Sequence, residues 1–421
     1  MRFARRYALV PLATIALATA VLAPPAPAQE KTLKLGGLAT LEGVFAKNGE
    51  DSMRGIEMAL KEYKNSAGGY RIELVKASSD AKPDTAIRAA RKLIEQDGVQ
   101  ILVGPLSGSE GLAMKDFAKS KPEITFINGS SAAQDTTLRD PAPNFFRFSS
   151  DGAQWSYGLG EHVYKTKGWK KVASLAEDYS FPYTQFYGFA LEYCALGGKI
   201  THRSWVPLGT KDYASVIAAL PQDVDAVYVV LGGADAIAFL NQYQQAGGRA
   251  KFIAGSITVD PAILTSRGRA KEALLGTPAG SPIADNWGDP NWQKFVKLYQ
   301  DTFPADQRFP TPSLFAANYY IATKAALDGL NAVKGDLTNN QAELRKWLSS
   351  ATIDAPTGKI RLDENRQAIA PNFITEVAER RDGSLYNEVV KVIPSVNQTL
   401  NMDRAKFMAI GPVGRDNPKC D

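Results

Sequence analysis

The sequence predicts an α/β fold of doubly wound parallel sheets arranged in two domains. From Thr32 onward, short β-type runs alternate with amphipathic stretches of helical period. The same plan is laid out twice, before and after residue 150, without a close internal sequence repeat. A chain of 421 residues with 44% hydrophobic composition is also long enough to bury two sizeable cores.

The first series begins with a strand and ends with two short apolar runs. Alternating and continuous apolar patterns predict strands, and apolar stripes of period 3.6 predict helices. The predicted elements are a strand at 33–38, a helix at 51–66, a strand at 70–75, a helix at 83–97, and strands at 101–103 and 124–127.

The second series repeats this alternation. Its strand at 226–231 is apolar throughout, which is typical of a strand buried on both faces. The predicted elements are helices at 155–165, 184–196, 213–220 and 234–246, and strands at 172–175, 200–206, 226–231 and 252–254.

After Gly276 the pattern changes, because proline-rich connections separate the remaining elements. We expect this mixed ending from a chain that returns to complete domains begun earlier. The predicted elements are helices at 292–302, 314–331 and 341–349, and a hairpin of strands 359–362 and 373–377 with a polar turn at 363–366.

The N-terminus has the features of an export signal. Three arginines precede an apolar stretch at 7–23, which ends at Ala26-Pro27-Ala28. This pattern predicts a secretory signal cleaved after Ala28. The competing interpretation is an uncleaved membrane anchor, but Pro24-Pro25 interrupts the stretch before it reaches a spanning length. We therefore expect a periplasmic protein.

Charge and composition exclude several classes of function. Three of the 49 Lys and Arg residues belong to the signal, and 44 Asp and Glu residues oppose the others, so the exported chain is nearly neutral. Neither a nucleic-acid binder nor a polybasic membrane protein is indicated. His162 and His202 are the only histidines, which argues against a His-based metal site. We expect no metal and no cofactor.

Cys194 and Cys420 are the only cysteines. In an oxidising compartment the two can pair, which would pin the C-terminal tail to the segment 189–195. The alternative is a buried thiol at Cys194 and an unpaired thiol in the tail.

Two loops of glycine and small hydroxyls carry the strongest functional signal. Ser107, Gly108 and Ser109 follow the strand 101–103, and Gly129-Ser130-Ser131 follows the strand 124–127. The carboxyl ends of neighbouring parallel strands face one crevice, where backbone N–H groups and hydroxyls can bind an anion. The alternative is that these residues only form tight turns. We interpret the loops as a binding site for a small carboxylate.

Aromatic residues are predicted to form the walls of this site. Phe45 lies in the first loop of the chain, and Tyr179, Phe181 and Tyr183 fall in a predicted loop after the strand 172–175. Three rings in a five-residue loop cannot all belong to the core, so they are candidates to stack on a flat or apolar ligand. For Trp155, core packing and ligand contact are both open.

Four segments resemble the periplasmic substrate-binding proteins of ABC importers, of the branched-chain amino acid (Leu/Ile/Val-binding) type. They are LGGLATLEG at 35–43, GIEMAL at 55–60, ILVGP at 101–105 and TGKIRLD at 357–363, and the resemblance extends over residues 33–392. It implies the type I periplasmic-binding fold, with two lobes joined by three crossovers and a ligand held between them. It also implies delivery of the ligand to an ABC permease in the inner membrane.

The resemblance divides the chain into four regions. Residues 1–28 are the signal peptide, 29–149 with 279–356 form lobe 1, 150–278 with 357–394 form lobe 2, and 395–421 form a C-terminal tail. We expect a monomer whose partners are a small-molecule carboxylate and the permease.

Members that bind amino acids commonly carry an acid just after the strand that matches 252–254. Here Gly255-Ser256-Ile257-Thr258 follows that strand, and Asp260 is the nearest carboxylate. Ser256 is thus the polar candidate in this loop. Because an α-ammonium buried without a carboxylate is costly, the substitution favours an aromatic or apolar acid as ligand.

Three alternatives stay open at this stage: a Leu/Ile/Val-like amino acid as ligand, a ligand sensor that docks onto a receptor, and an enzyme. For the enzyme, Gly158-Leu159-Gly160 starts like a dinucleotide fingerprint, but Val163 stands where the third glycine belongs. We therefore expect a binding protein that is not an enzyme.

Overall fold

The computed structural model describes Met1 and residues 31–420. The predicted signal segment and its cleavage site lie outside the described residues. Within the described part of the chain, no helix is both long and apolar enough to cross a membrane.

The strands of the described residues alternate with helices in the first half of the chain and cluster near its end. They are β1 (Lys31–Thr40), β2 (Ser66–Ala67), β3 (Tyr70–Ser79), β4 (Ile101–Val103), β5 (Thr125–Ile127), β6 (Phe145–Phe146), β7 (Lys171–Glu177), β8 (Lys199–Val206), β9 (Ala226–Val230), β10 (Phe252–Ala254), β11 (Pro278–Ser281), β12 (Thr352–Ala355), β13 (Gly358–Leu362), β14 (Ala368–Glu379) and β15 (Leu385–Val396).

The α-helices connect these strands or pack on their faces. They are α1 (Ala46–Glu62), α2 (Pro83–Glu95), α3 (Gly108–Lys119), α4 (Gly152–Ser156), α5 (Leu159–Glu161), α6 (Ser180–Ala195), α7 (Ala214–Ala219), α8 (Gly233–Gln245), α9 (Pro261–Leu264), α10 (Pro290–Thr302), α11 (Leu314–Ala332), α12 (Thr338–Ser350) and α13 (Arg404–Ala409).

Two sheets dominated by parallel pairing organise the described chain and confirm the predicted fold class. The first has the order β2-β3-β1-β4-β5-β6, and only the short β2 pairs antiparallel. The second has the order β12-β13-β14-β11-β10-β9-β7-β8, with β15 added to β14. In it the strands β7 to β11 pair in parallel, and β12 to β15 complete the sheet antiparallel.

The last third of the chain returns to both lobes, as its mixed pattern predicts. Helix α11 packs on α1 so closely that a Cβ at Gly55 would lie 2.2 Å from the Ala316 carbonyl oxygen. Strands β11 to β15 instead extend the second sheet. The residue boundaries of the two lobes stay a prediction.

Several stretches differ from the predicted elements, and the short strands β2, β6, β11 and β12 lie outside every predicted strand. The helix predicted at 155–165 is interrupted, because Gly158 has φ +90° and a Cβ there would lie 2.4 Å from Ile393 Cδ1. Residues 162–166 then form a π-helical turn. Strand β15 was not predicted, because its exposed edge position weakens the apolar alternation on which strand prediction relies.

A buried arginine ties the segment between the sheets to the late hairpin. Arg147 is fully buried and donates to the Ala133 carbonyl (2.6 Å) and the Thr137 hydroxyl (2.7 Å). It also donates to Gln367, in the turn before β14. Burial lowers the pKa of Arg147 to about 10. These hydrogen bonds hold the segment around Arg147 beside the chain that completes the second sheet.

The C-terminal tail is fastened to the second lobe. Cys194 on α6 and Cys420 form a disulfide with Cα atoms 5.4 Å apart. Arg203 donates to the Pro418 carbonyl (2.8 Å), and Arg415 pairs with Asp178 (Nε–Oδ1 2.7 Å). The sequence allowed either a disulfide or two free thiols, and the structure has the disulfide.

Candidate ligand-binding site

Helix α3 begins at the predicted glycine-serine loop after β4. The Ser107 hydroxyl accepts from the Glu110 N–H (3.3 Å), and Glu110 Oε2 accepts from the Ser107 N–H (2.9 Å), which is a capping box. Ser107 Oγ also donates to the Ala81 carbonyl (3.0 Å). The Ser107 side chain therefore caps the helix. The N–H groups of Gly108 and Ser109 are left without an acceptor among residues 31–420.

The second loop uses its backbone donors within lobe 1. The N–H groups of Ser130 and Ser131 both donate to the Pro105 carbonyl, at 3.1 and 3.2 Å. The two hydroxyls are buried and have no hydrogen-bond partner among the described residues. Ser130 lines the cavity between the lobes, whereas Ser131 Oγ is directed at Gly111 of α3. Of the two serines, only Ser130 lines the cavity.

Aromatic rings from both lobes surround this cavity. Trp155 and Phe181 meet edge to face with ring centroids 5.6 Å apart, and Tyr179 lies 6.3 Å from Phe181. The Trp155 indole N–H is buried and has no acceptor within residues 31–420. The cavity is lined by Phe45, Leu106, Ser107, Gly108, Ser130, Trp155, Tyr179, Phe181, Ile257 and Phe315.

The two lobes meet tightly across the cavity. About 10 Å³ is open to the centre of a water-sized sphere, which is room for about one water molecule. At the rim the hydroxyls of Ser109 and Ser180 are 3.1 Å apart. A ligand larger than water must therefore enter by parting the lobes.

Gly108 permits this close approach. A Cβ at this position would lie 2.8 Å from Ser180 Oγ and 2.9 Å from Phe181 Cβ, both on the opposite lobe. A larger residue at this position would collide with the start of α6 in the closed arrangement.

Six of the predicted site residues come together at the cavity: Phe45, Ser107, Gly108, Ser130, Tyr179 and Phe181. The others do not line it. Gly129 packs on the Tyr319 ring, Ser256 Oγ accepts from Gln185 Nε2 (3.0 Å), and Ser109 contributes its hydroxyl to the rim.

The predicted aromatic loop at 179–183 is wrong. Helix α6 begins at Ser180, so Phe181 and Tyr183 belong to its first turn. Because successive helical side chains point in different directions, the three rings cannot share one side. Tyr183 instead packs edge to face on Trp205 (4.8 Å), and its hydroxyl bonds to Asp178 and Arg415.

Sequence reasoning missed Leu106, Ile257 and Phe315, and left Trp155 open. Leu106 and Ile257 are next in sequence to the predicted site residues Ser107 and Ser256. Their place at the cavity could therefore have been inferred from the sequence. Phe315 lies at the start of α11, about 200 residues from the glycine-serine loops, and only the tertiary fold brings it to the cavity.

Buried carboxyl groups lie near the cavity in both lobes. Burial raises the pKa of Glu110, and it raises the pKa of Glu177 well above its ordinary value. Glu177 Oε1 accepts from the Gly232 N–H (2.9 Å), and Tyr179 lies beside this carboxyl. A raised pKa favours the neutral acid, which repels an anionic ligand less than a carboxylate does.

No group of three or more His, Cys, Asp and Glu residues in the described part of the chain is placed to hold a metal ion. The donors and rings at the cavity suit binding of an organic ligand.

The chain is similar to known proteins over most of its length. A family model described as "Periplasmic binding protein" matches residues 32–383. The Leu/Ile/Val-binding protein homolog 6 of Brucella melitensis is 24% identical over 405 residues, which cover 92% of this chain and 96% of the relative.

Solved structures show the same fold. An ABC transporter substrate-binding protein from Sphaerobacter thermophilus has a TM-score of 0.76 and 27% identity, covering 86% of this chain and 98% of its own. A solute-binding protein of an ABC transporter from Rhodopseudomonas palustris, in complex with 3,4-dihydroxybenzoic acid, has a TM-score of 0.78 and 24% identity. It covers 87% of this chain and 98% of its own.

The close approach at Gly108 leads to a prediction for Gly108→Ala. The added Cβ would clash with α6 only when the lobes are closed, so we expect weaker ligand binding by about 1–3 kcal/mol, the usual cost of overpacking. We expect unfolding of the ligand-free variant at the wild-type temperature. Calorimetric titration and thermal denaturation measure the two quantities.

The matched control is Gly288→Ala, because no atom lies within 4 Å of a Cβ built there. Wild-type affinity in Gly108→Ala would show that the lobes do not close on this contact.

Proposed function

The chain belongs to the periplasmic binding protein family, and we propose that it captures a small carboxylate with an aromatic or apolar body for an ABC transporter. Its family and structural neighbours are solute-binding proteins associated with transport. The proposal includes export with cleavage after Ala28, a monomer in the periplasm, and delivery to a permease in the inner membrane.

The observation that carries the proposal is a set of unpartnered donors on one apolar cavity. Gly108, Ser130 and Trp155 line it, and the Gly108 N–H, the Ser130 hydroxyl and the Trp155 indole N–H have no acceptor among the described residues. Buried donors are costly unless they are hydrogen-bonded, and a carboxylate can accept from several of them at once. The start of α3 also favours negative charge.

The aromatic rings at the cavity would contact the apolar part of the ligand. Phe45, Trp155, Tyr179, Phe181 and Phe315 would enclose a flat or branched apolar body once the lobes part to admit it. The complex of the R. palustris protein with 3,4-dihydroxybenzoic acid supports an aromatic acid as a ligand class compatible with this fold.

A second candidate ligand is an α-amino acid, as the name of the Brucella relative suggests. The specific observation is Glu177, whose Oε2 is buried and has no partner among the described residues. An ammonium group reaching this carboxyl would lower its pKa and convert it to a carboxylate. This candidate requires the ammonium group to reach Glu177, which is near Tyr179 but does not line the cavity.

A thermal-shift screen distinguishes the two ligand classes. We expect benzoate and 3,4-dihydroxybenzoate to raise the unfolding temperature, because a ligand at 100 times its Kd adds about 2.7 kcal/mol to the stability of the folded state. We expect no such stabilisation by leucine or valine. The reverse result would support the amino acid, and Glu177→Gln should then abolish the leucine effect.

The donor set leads to a prediction for Ser130→Ala. Loss of a hydrogen bond to a charged ligand costs about 1.5–3 kcal/mol, so we expect benzoate to bind roughly 10- to 150-fold more weakly in calorimetric titration. Ser131→Ala is the matched control, since that adjacent hydroxyl is equally buried but directed at Gly111. Equal affinities in both variants and wild type would remove Ser130 from the site.

A further inference from the structure

A buried side-chain contact joins the two lobes beside the cleft. Asn48 on α1 of lobe 1 donates from Nδ2 to Oδ1 of Asp260, which follows β10 of lobe 2, at 3.0 Å. Asn48 is 1% exposed and Asp260 is 2% exposed. Parting the lobes breaks this contact and returns both side chains to water.

Each partner keeps one unsatisfied oxygen in the closed arrangement. Asp260 Oδ1 accepts from Asn48 and from the Ala262 N–H (3.0 Å) as the N-cap of α9. Asp260 Oδ2 and Asn48 Oδ1 are both buried without a hydrogen-bond partner among residues 31–420. Two buried acceptors without a donor are unfavourable, and one proton on Asp260 supplies a donor.

The charges around Asp260 also favour the protonated form. The ionisable groups acting on it are Asp51 of α1 and Asp285, which follows β11. Asp51 accepts hydrogen bonds from Arg54, Tyr299 and Ser313. The positive charge of Arg54 is therefore paired with Asp51 and not with Asp260.

The carboxyl group of Asp285 likewise has hydrogen-bond and charge partners other than Asp260. Asp285 Oδ2 accepts from the Asn387 N–H (2.7 Å), and the charge that acts on it is Arg380. Burial and the two neighbouring acids raise the pKa of Asp260 to about 8.

We propose that closure of the lobes takes up one proton at Asp260, which then shares two hydrogen bonds with the Asn48 amide, so that ligand capture is coupled to proton uptake. The proton comes from solvent and is released when the lobes part. The coupling rests on the proposed function, because it requires the lobes to close over a ligand.

The sign of the coupling follows from the two states. In the open state Asp260 reaches water, and its pKa returns toward the ordinary value of about 3.9. Between that value and about 8, the closed state binds one more proton than the open state does. Falling pH therefore tightens ligand binding within this window, and above it the additional stabilisation is lost.

The test is calorimetric titration of the full exported chain with benzoate from pH 5.5 to 8.5, for wild type and Asp260→Asn. Asparagine preserves the helix cap and resembles the neutral acid, since its amide can donate to Asn48. We expect the wild-type Kd to rise by up to roughly tenfold per pH unit across this range. The variant should lose this rise and bind more tightly at pH 8 than wild type does at pH 6, because its uncharged amide needs no proton in either state.

Proton uptake gives a second readout. Binding heats in buffers of different ionisation enthalpy should show about one proton less taken up per benzoate in Asp260→Asn than in wild type at pH 6.5. Contributions from Glu110 and Glu177 are common to both proteins and cancel in this difference.

Asp289→Asn is the matched control. Asp289 also caps a helix that begins with proline, and it accepts from the Asn291 N–H (2.8 Å) on α10. Among the described residues it makes no hydrogen bond to the other lobe, so we expect the wild-type pH dependence in this variant. An Asp260→Asn variant with the wild-type slope and proton uptake would overturn the proposal.

The proposal is tested separately from the ligand class. If neither benzoate nor leucine binds, the proposed function fails, and small-angle scattering of the ligand-free proteins then decides the coupling. We expect the radius of gyration of wild type to increase from pH 5.5 to pH 8.5 and that of Asp260→Asn to stay constant. The same change in both proteins, or no change in either, would refute the coupling.

Discussion

Polar atoms that leave water when two lobes meet must find partners, and this constraint governs the whole cleft. Most are satisfied inside the lobe to which they belong. Ser107 caps α3, and the Pro105 carbonyl accepts from the Ser130 and Ser131 N–H groups. The donors without an acceptor among the described residues belong to Gly108, Ser130 and Trp155, which line the interlobe cavity. A ligand bound there can supply the missing acceptors.

The two sheets serve this arrangement by placing loop ends opposite each other. Parallel β4 and β5 direct their carboxyl ends into the cleft from lobe 1, and β7 and β10 do so from lobe 2. Gly108 then allows α3 to approach α6 without a clash. The same closure buries Asp260 against Asn48, so that ligand binding and protonation share one structural change.

Local signals were sufficient for the fold and for half of the site. β4 and β10 have the predicted bounds because they are continuous apolar runs that end at glycine. The direction of a hydroxyl was not predictable, since Ser130 and Ser131 are neighbours with the same chemistry and differ only in what packs against them. Phe315 reaches the cavity from a distant helix, which no local pattern indicates. The domain boundaries and ligand contacts remain predictions.

The central claim is that lobe 1 holds a carboxylate and the rings of both lobes hold an apolar body. A crystal structure of the exported chain with bound benzoate tests it most directly. The account predicts carboxylate oxygens within hydrogen-bond distance of the Gly108 N–H and Ser130 Oγ, and the benzene ring beside Trp155 and Phe181. A carboxylate placed at another part of the cleft, or a ligand bound outside it, would contradict the account.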